Sequence, residues 1–93
     1  MSDFINRSYA PGKTVAFRRI QDKFVLVETK SNNMLMLNGT ASDIWGWISE
    51  GISLQKIVDS LVNDYHVSED EATRDTLDFV QTLIEKKLVV PLE

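Results

Sequence analysis

Apolar and polar positions change their period partway along this chain. In TVAFRRI, residues 14–20, Val15 and Phe17 share one face, and a polar QDK turn leads into FVLVET, residues 24–29. Four successive apolar positions there, two of them β-branched, predict a strand with something packed on both faces. KSNN reads as a second turn, and MLML at residues 34–37 as a third short strand in which methionine alternates with leucine. Three strands joined by tight polar turns make an antiparallel meander. Such a sheet is marginal until one face is buried against another layer.

Helical spacing supplies that layer. Asn38 or Thr40 can cap a first helix whose inner stripe is Ala41, Ile44, Trp45 and Ile48, with Asp43 near its positive end and Gly51 suited to end it. Ser53 caps a second, carrying Leu54, Ile57, Val58, Leu61, Val62 and Tyr65 on one face. SEDE, residues 68–71, is a capping box for the third and longest, with Ala72, Thr76, Phe79, Val80, Leu83 and Ile84 facing inward. LVVPL follows as an extended tail ended by Pro91. The expected fold is α+β and winged-helix-like: a three-stranded antiparallel β-meander followed by three α-helices. Residues 1–93 are read as one domain, with 1–13 a candidate flexible lead.

Composition narrows the function classes. At 93 residues, 43% hydrophobic and 26% charged, the chain suits one modest core. It has no cysteine, which removes disulfides, thiolate metal sites and cysteine nucleophiles and favours a cytoplasmic location. No basic-then-apolar signal opens it, and no run is long enough to span a bilayer, so neither secretion nor a membrane partner is expected. The net charge of −4 is unevenly spread: residues through Asn38 sum to +3 and those from Gly39 onward to −7. The front is mildly basic and the back distinctly acidic.

Catalytic constellations are missing, so no enzyme, metal or cofactor is expected. The single histidine, His66, ends the second helix, where an imidazole can meet unpaired carbonyls, and no second histidine or cysteine joins it. No nucleophile elbow places a serine, and four glycines form no phosphate loop. Glu71, Asp75 and Asp78 share a helix side by spacing, the usual sign of a solvated face. Trp45 and Trp47 sit two residues apart and point to nearly opposite sides, placing Trp45 inside and Trp47 at the margin or exposed. The exposure of Tyr9 and Phe4 is left open. Three helices raise the alternative of a winged-helix DNA-binding or regulatory module, but acids outnumber bases on the third helix, so nucleic acid is not an expected partner. A further alternative is a plain dimerisation module built on the apolar strand 24–27.

Particular residues in order resemble a known family. Leu37 and Asn38 precede a small-residue turn and then Ile44 and Trp45. Gly51 and the hydroxyl cap Ser53 lead to Ile57 and Leu61, and Tyr65 gives helix two its aromatic end. Asp75, Phe79, Val80 and Leu83 precede a closing Leu88 and Val89. Over about two thirds of its length the chain resembles the PqqD-like proteins, also called RiPP recognition elements. The resemblance implies a non-catalytic peptide chaperone that binds the leader of a ribosomally made precursor peptide. It presents that peptide to a modifying enzyme, often a radical SAM enzyme. The leader adds as a strand beside the third strand, in a groove closed by the third helix. Carried onto this sequence, the peptide-binding residues are Asn33, Met34, Leu35, Met36 and Leu37 on the edge, with Arg74, Asp75, Asp78, Phe79 and Thr82 on the helix. Two departures stand out: Lys87 sits where the family commonly has glycine before the final Leu-Val, and VLVETK replaces the LLxPE-like stretch of PqqD proper. The second points to a relative serving a peptide outside the pyrroloquinoline quinone pathway. The chain is expected as a monomer or homodimer. Flexible methionines suit a groove for a varied guest, although Met34 and Met36 could equally fill a core gap or touch the N-terminal segment.

Overall fold

The computed structural model describes residues 6–92. Its elements run β1 (Tyr9–Pro11), β2 (Val15–Ile20), β3 (Lys23–Glu28), β4 (Asn33–Met36), α1 (Gly39–Ser49), α2 (Leu54–Tyr65), α3 (Glu69–Glu85) and β5 (Val89–Pro91). β2, β3 and β4 form the expected antiparallel meander, in that order, followed by three helices. No helix among the described residues is long and apolar enough to cross a membrane.

A second, two-stranded sheet was not expected. β1 pairs antiparallel with β5, Tyr9 opposite Pro91 and Pro11 opposite Val89. The Gly12 N–H donates to Leu88 O at 3.0 Å and the Leu92 N–H to Ser8 O at 2.9 Å, extending the ribbon at both ends. Three-residue strands with a proline at one end lack the alternation that reveals a strand in sequence. Their effect is to tie the leading segment to the tail and to bring Tyr9, only 3% exposed, into the core. Phe4 lies outside the described residues.

The core lies between the helices and one face of the meander. Phe24 and Leu26 enter it from β3, Ile44, Trp45 and Ile48 from α1, Leu54, Ile57, Val58 and Leu61 from α2, and Ala72, Val80 and Leu83 from α3. Val25 and Val27, on the other face, are only half-buried, and no layer of the described residues covers them. Cover on both faces, expected from FVLVET, is therefore met on one. Ser42 fastens the layers: its hydroxyl accepts from the Phe24 N–H at 2.9 Å and donates to Leu37 O at 3.4 Å, standing between the two strands where their ladder opens.

Helix ends follow the sequence closely. Asn38 is the cap of α1, its side-chain oxygen accepting from the Ala41 N–H at 2.9 Å, and Ser53 and Ser68 cap α2 and α3 in the same way. α1 ends with the Gly51 N–H on Ile48 O and the Ile52 N–H on Trp47 O, with Gly51 at φ +81°. α3 ends in the same pattern, Lys87 N–H on Ile84 O and Leu88 N–H on Leu83 O, but here Lys87 takes φ +61°. Both are Schellman motifs, whose turning residue favours glycine. Lys87→Gly should therefore stabilise the fold by roughly 0.5–1 kcal/mol, the left-handed penalty less the freedom glycine loses on folding. A rise of about 2–8 °C in the thermal midpoint is the expected reading, and a fall would show that the lysine is not strained.

Candidate functional site: the open edge of the meander

Among the described residues, β4 has a strand on one side only. The Leu37 N–H donates to Phe24 O at 2.9 Å, and the register places Leu35 opposite Leu26 and Met36 opposite Val25. In an antiparallel ladder, bonding alternates residue by residue. The main-chain groups of Leu35 thus point into the sheet, whereas those of Met34 and Met36 point out of its open edge. An extended chain laid there would find donors and acceptors already aligned.

Side chains along β4 divide the other way. Asn33 and Leu35 lie on the helix side, where Leu35 packs against the core, and Leu37 continues that face into the interior. Met34 and Met36 lie on the outer face and are 68% and 67% exposed, so neither fills a core gap. They share that face with Val25 and Val27 and with Ala16, Arg18 and Ile20 of β2.

α3 runs antiparallel to β4 and forms the far wall of a groove with a hollow at each end. One, of about 380 Å³, is lined by Asn38, Thr40, Ala41, Ile44, Asp75, Asp78 and Phe79. The other, of about 530 Å³, lies at the start of β4 and involves Lys30, Ser31, Asn33, Glu85, Lys86 and Lys87, with Thr14 and Glu28 beneath. Half-buried Thr82 stands between them on α3, its hydroxyl donating to Asp78 O at 3.2 Å.

Glu28 holds the turn that launches β4. Although 7% exposed, it is not buried alone: its carboxylate accepts from the Thr14 hydroxyl, from the Ser31 N–H at 2.8 Å and from the Ser31 hydroxyl at 3.0 Å. The Thr14 hydroxyl, and then the Ser31 N–H, hold its pKa below the ordinary value of 4.5. A depressed carboxylate contributes stability that is fully present above its unfolded value and is lost as pH falls through the folded one. The denaturation midpoint should therefore drop on acidification below about pH 4.5. Glu28→Gln should be less stable than the parent at neutral pH and show a shallower acid slope; an unchanged slope would remove Glu28 from this account.

Residues 23–89 match the family described as "Coenzyme PQQ synthesis protein D (PqqD)", which is well over half of the chain. The chain belongs to the PqqD family. Among solved structures, this PqqD-family chain is similar to TbiB1 in complex with the TbiA(beta) leader peptide, at 29% identity and a TM-score of 0.83, over 86% of this chain and 93% of that one. It has the same fold as a lasso peptide synthetase B1 complexed with its leader peptide, at 24% identity and a TM-score of 0.83, over 90% of this chain and 99% of that one. No curated protein matches.

Against the residues expected from sequence, the structure of this PqqD-family chain gathers most into one groove. Asn33 lines the hollow at the start of β4 and Asp75, Asp78 and Phe79 line the other, Leu35 and Thr82 line neither, and Met34 and Met36 turn their main chain toward the open edge. Leu37 is buried and Arg74 is exposed and lines neither hollow. Lys30, Lys86 and the cap residue Asn38 line the hollows as well, and the sequence reading of the site passed over them. Their signal was adjacency: Lys86 and Asn38 stand within two residues of the end of an element already assigned to the site, and Lys30 lies in the turn that leads into one. Tyr65 lies outside the groove, its hydroxyl donating to Asp43 at 2.5 Å, and this bond raises its pKa. His66 turns the chain at the end of α2 with φ +56°. Among the described residues no three His, Cys, Asp or Glu side chains gather as a metal cluster would.

Proposed function

We propose that this protein is a non-catalytic adaptor that binds the leader of a ribosomally made precursor peptide by strand addition to β4. It presents that peptide to a modifying enzyme in the cytoplasm, with a radical SAM enzyme the first partner to test. The observation that carries the reading is the open edge at Met34 and Met36 facing a groove walled by α3. The chain's similarity to TbiB1, a protein seen with a leader peptide, supports it. Strand addition uses main-chain bonds for affinity and neighbouring pockets for choice of side chain, which is what an edge beside two hollows offers.

Titrating isotopically labelled protein with the leader of the precursor encoded beside its gene should shift the amides of residues 33–37 and of α3. Shifts confined to other regions would rule out this site. Met36→Asp should weaken binding with the fold intact, since that side chain is exposed and a charge there meets whatever the guest adds to the outer face. The modifying enzyme should process the precursor efficiently only when the adaptor is supplied. The exposed outer face, with Ile20, Met34 and Met36, also favours a second reading, self-association through the sheet. Sedimentation at increasing concentration distinguishes a dimer from a monomeric adaptor.

A further inference from the structure

The two hollows differ in charge. At the Asn38 end Asp75 and Asp78 face the groove with no basic lining residue. At the Asn33 end Lys30, Lys86 and Lys87 stand against Glu85 and Glu28, and the Glu28 carboxylate is already engaged by Thr14 and Ser31. Within the described residues no hydrogen bond or ion pair engages the side-chain charges of Asp75, Asp78, Lys30, Lys86 or Lys87. Leu35, packed against the core, stands on β4 between the two ends, and Phe79 adds an apolar lining to the acidic hollow. The groove therefore runs from acid through apolar to base, and its charges are free to meet a guest.

We infer that the groove selects its guest by charge polarity: a cationic residue, then an apolar one, then an anionic one, at alternate positions from the N-terminal side of the bound segment. The inference rests on strand addition at β4. Every strand pair among the described residues is antiparallel, and antiparallel pairing is the more stable kind. A guest laid antiparallel starts at the Leu37 end of β4 and leaves at Asn33. Its helix-facing side chains then lie opposite Leu37, Leu35 and Asn33, which is Lys or Arg at the acidic hollow, an apolar residue over Leu35 and Asp or Glu at the basic hollow. The spacing is consistent: Asp78 to Lys86 spans about 12 Å along a helix and four strand residues about 13 Å. Each contact is partly exposed and individually weak, so the polarity acts through the two ends together.

The test uses two labelled ten-residue peptides of identical composition, capped at both termini, one with a central Lys-Thr-Leu-Thr-Glu and the other with Glu-Thr-Leu-Thr-Lys. Affinity for the full chain is read by fluorescence anisotropy and the site by the Met34 and Met36 amide shifts. The Lys-first peptide should bind about fivefold to tenfold tighter in low salt, and the preference should fade near 1 M salt, where the screening length falls to about 3 Å. In a variant combining Asp75→Lys, Asp78→Lys, Lys86→Glu and Lys87→Glu, all exposed positions, the preference should invert. Equal affinities with Met34 and Met36 shifted would overturn the polarity and leave strand addition standing. A preference for the Glu-first peptide would overturn the antiparallel assignment. Absence of Met34 and Met36 shifts with either peptide would overturn the polarity as well, the leader titration then deciding the adaptor reading separately.

Discussion

Met36→Pro should weaken leader binding at least tenfold while leaving the fold nearly unchanged. The Met36 N–H points out of the sheet, because the ladder bonds of β4 to β3 fall on Leu35 and Leu37. A proline at this position therefore removes no bond within the protein, and edge strands are where prolines are tolerated. The preceding Leu35 is already extended, as a residue before proline must be. What the substitution removes is a donor that a guest strand needs, worth roughly 0.5–1.5 kcal/mol, and the ring also stands in the path of the guest backbone. A loss of at least tenfold in leader affinity, about 1.4 kcal/mol, is expected by calorimetry, with a thermal midpoint within a few degrees of the parent. Met36→Ala keeps the N–H and should lose less. Leu35→Pro breaks the ladder opposite Leu26 and should lose the fold itself. Full leader binding by a folded Met36→Pro protein would exclude strand addition at β4, even if the leader binds elsewhere.

The contrast between those positions shows what sequence can and cannot reveal here. The alternation in MLML was enough to separate Leu35 and Leu37, which face the helices, from Met34 and Met36, which do not. It could not say which main-chain groups remain free, because that depends on where the ladder starts, and the start is set by the pairing of Leu37 with Phe24. The caps Asn38, Ser53 and Ser68 were legible because capping is local chemistry between a side chain and the next turn. β1 and β5 were not, since each has three residues and depends on a partner some eighty positions away. Ser42 is a related case: a small polar residue on an otherwise apolar stripe gives no hint that its hydroxyl joins two strands. Lys87 is marked in the sequence only as a departure from the family resemblance, and the structure gives its meaning as a left-handed residue with φ +61°. Arg74 was carried into the site by the family resemblance, as a helix-three residue looking toward the edge, and it lines neither hollow.

Trp45→Ala should bring the protein close to unfolding. Trp45 is fully buried and meets Phe17 edge to face, with ring centroids 5.3 Å apart, so it fills the space between the meander and α1. Truncating a buried tryptophan to alanine costs roughly 3–5 kcal/mol, against a total stability of about 5–14 kcal/mol for a chain of this length. The cost should appear as a large fall in the urea midpoint with the slope unchanged. Trp45→Phe tests whether packing or the indole N–H is responsible. Among the described residues the buried Nε1 has no hydrogen-bond partner, so losing it relieves a penalty of about 1–3 kcal/mol that offsets part of the lost volume. The phenylalanine variant should accordingly stay within about 1.5 kcal/mol of the parent. A phenylalanine variant as unstable as the alanine one would show that the N–H has an unseen partner, and a stable alanine variant would remove Trp45 from the core argument. The consequence reaches the binding edge, because α1 is held to β3 and β4 through Ser42 at the point where the Leu37 pairing sets the ladder. Loosening α1 frees that register, and with it the outward direction of the Met34 and Met36 amides. Leader affinity should thus fall with stability in the alanine variant and be retained in the phenylalanine one.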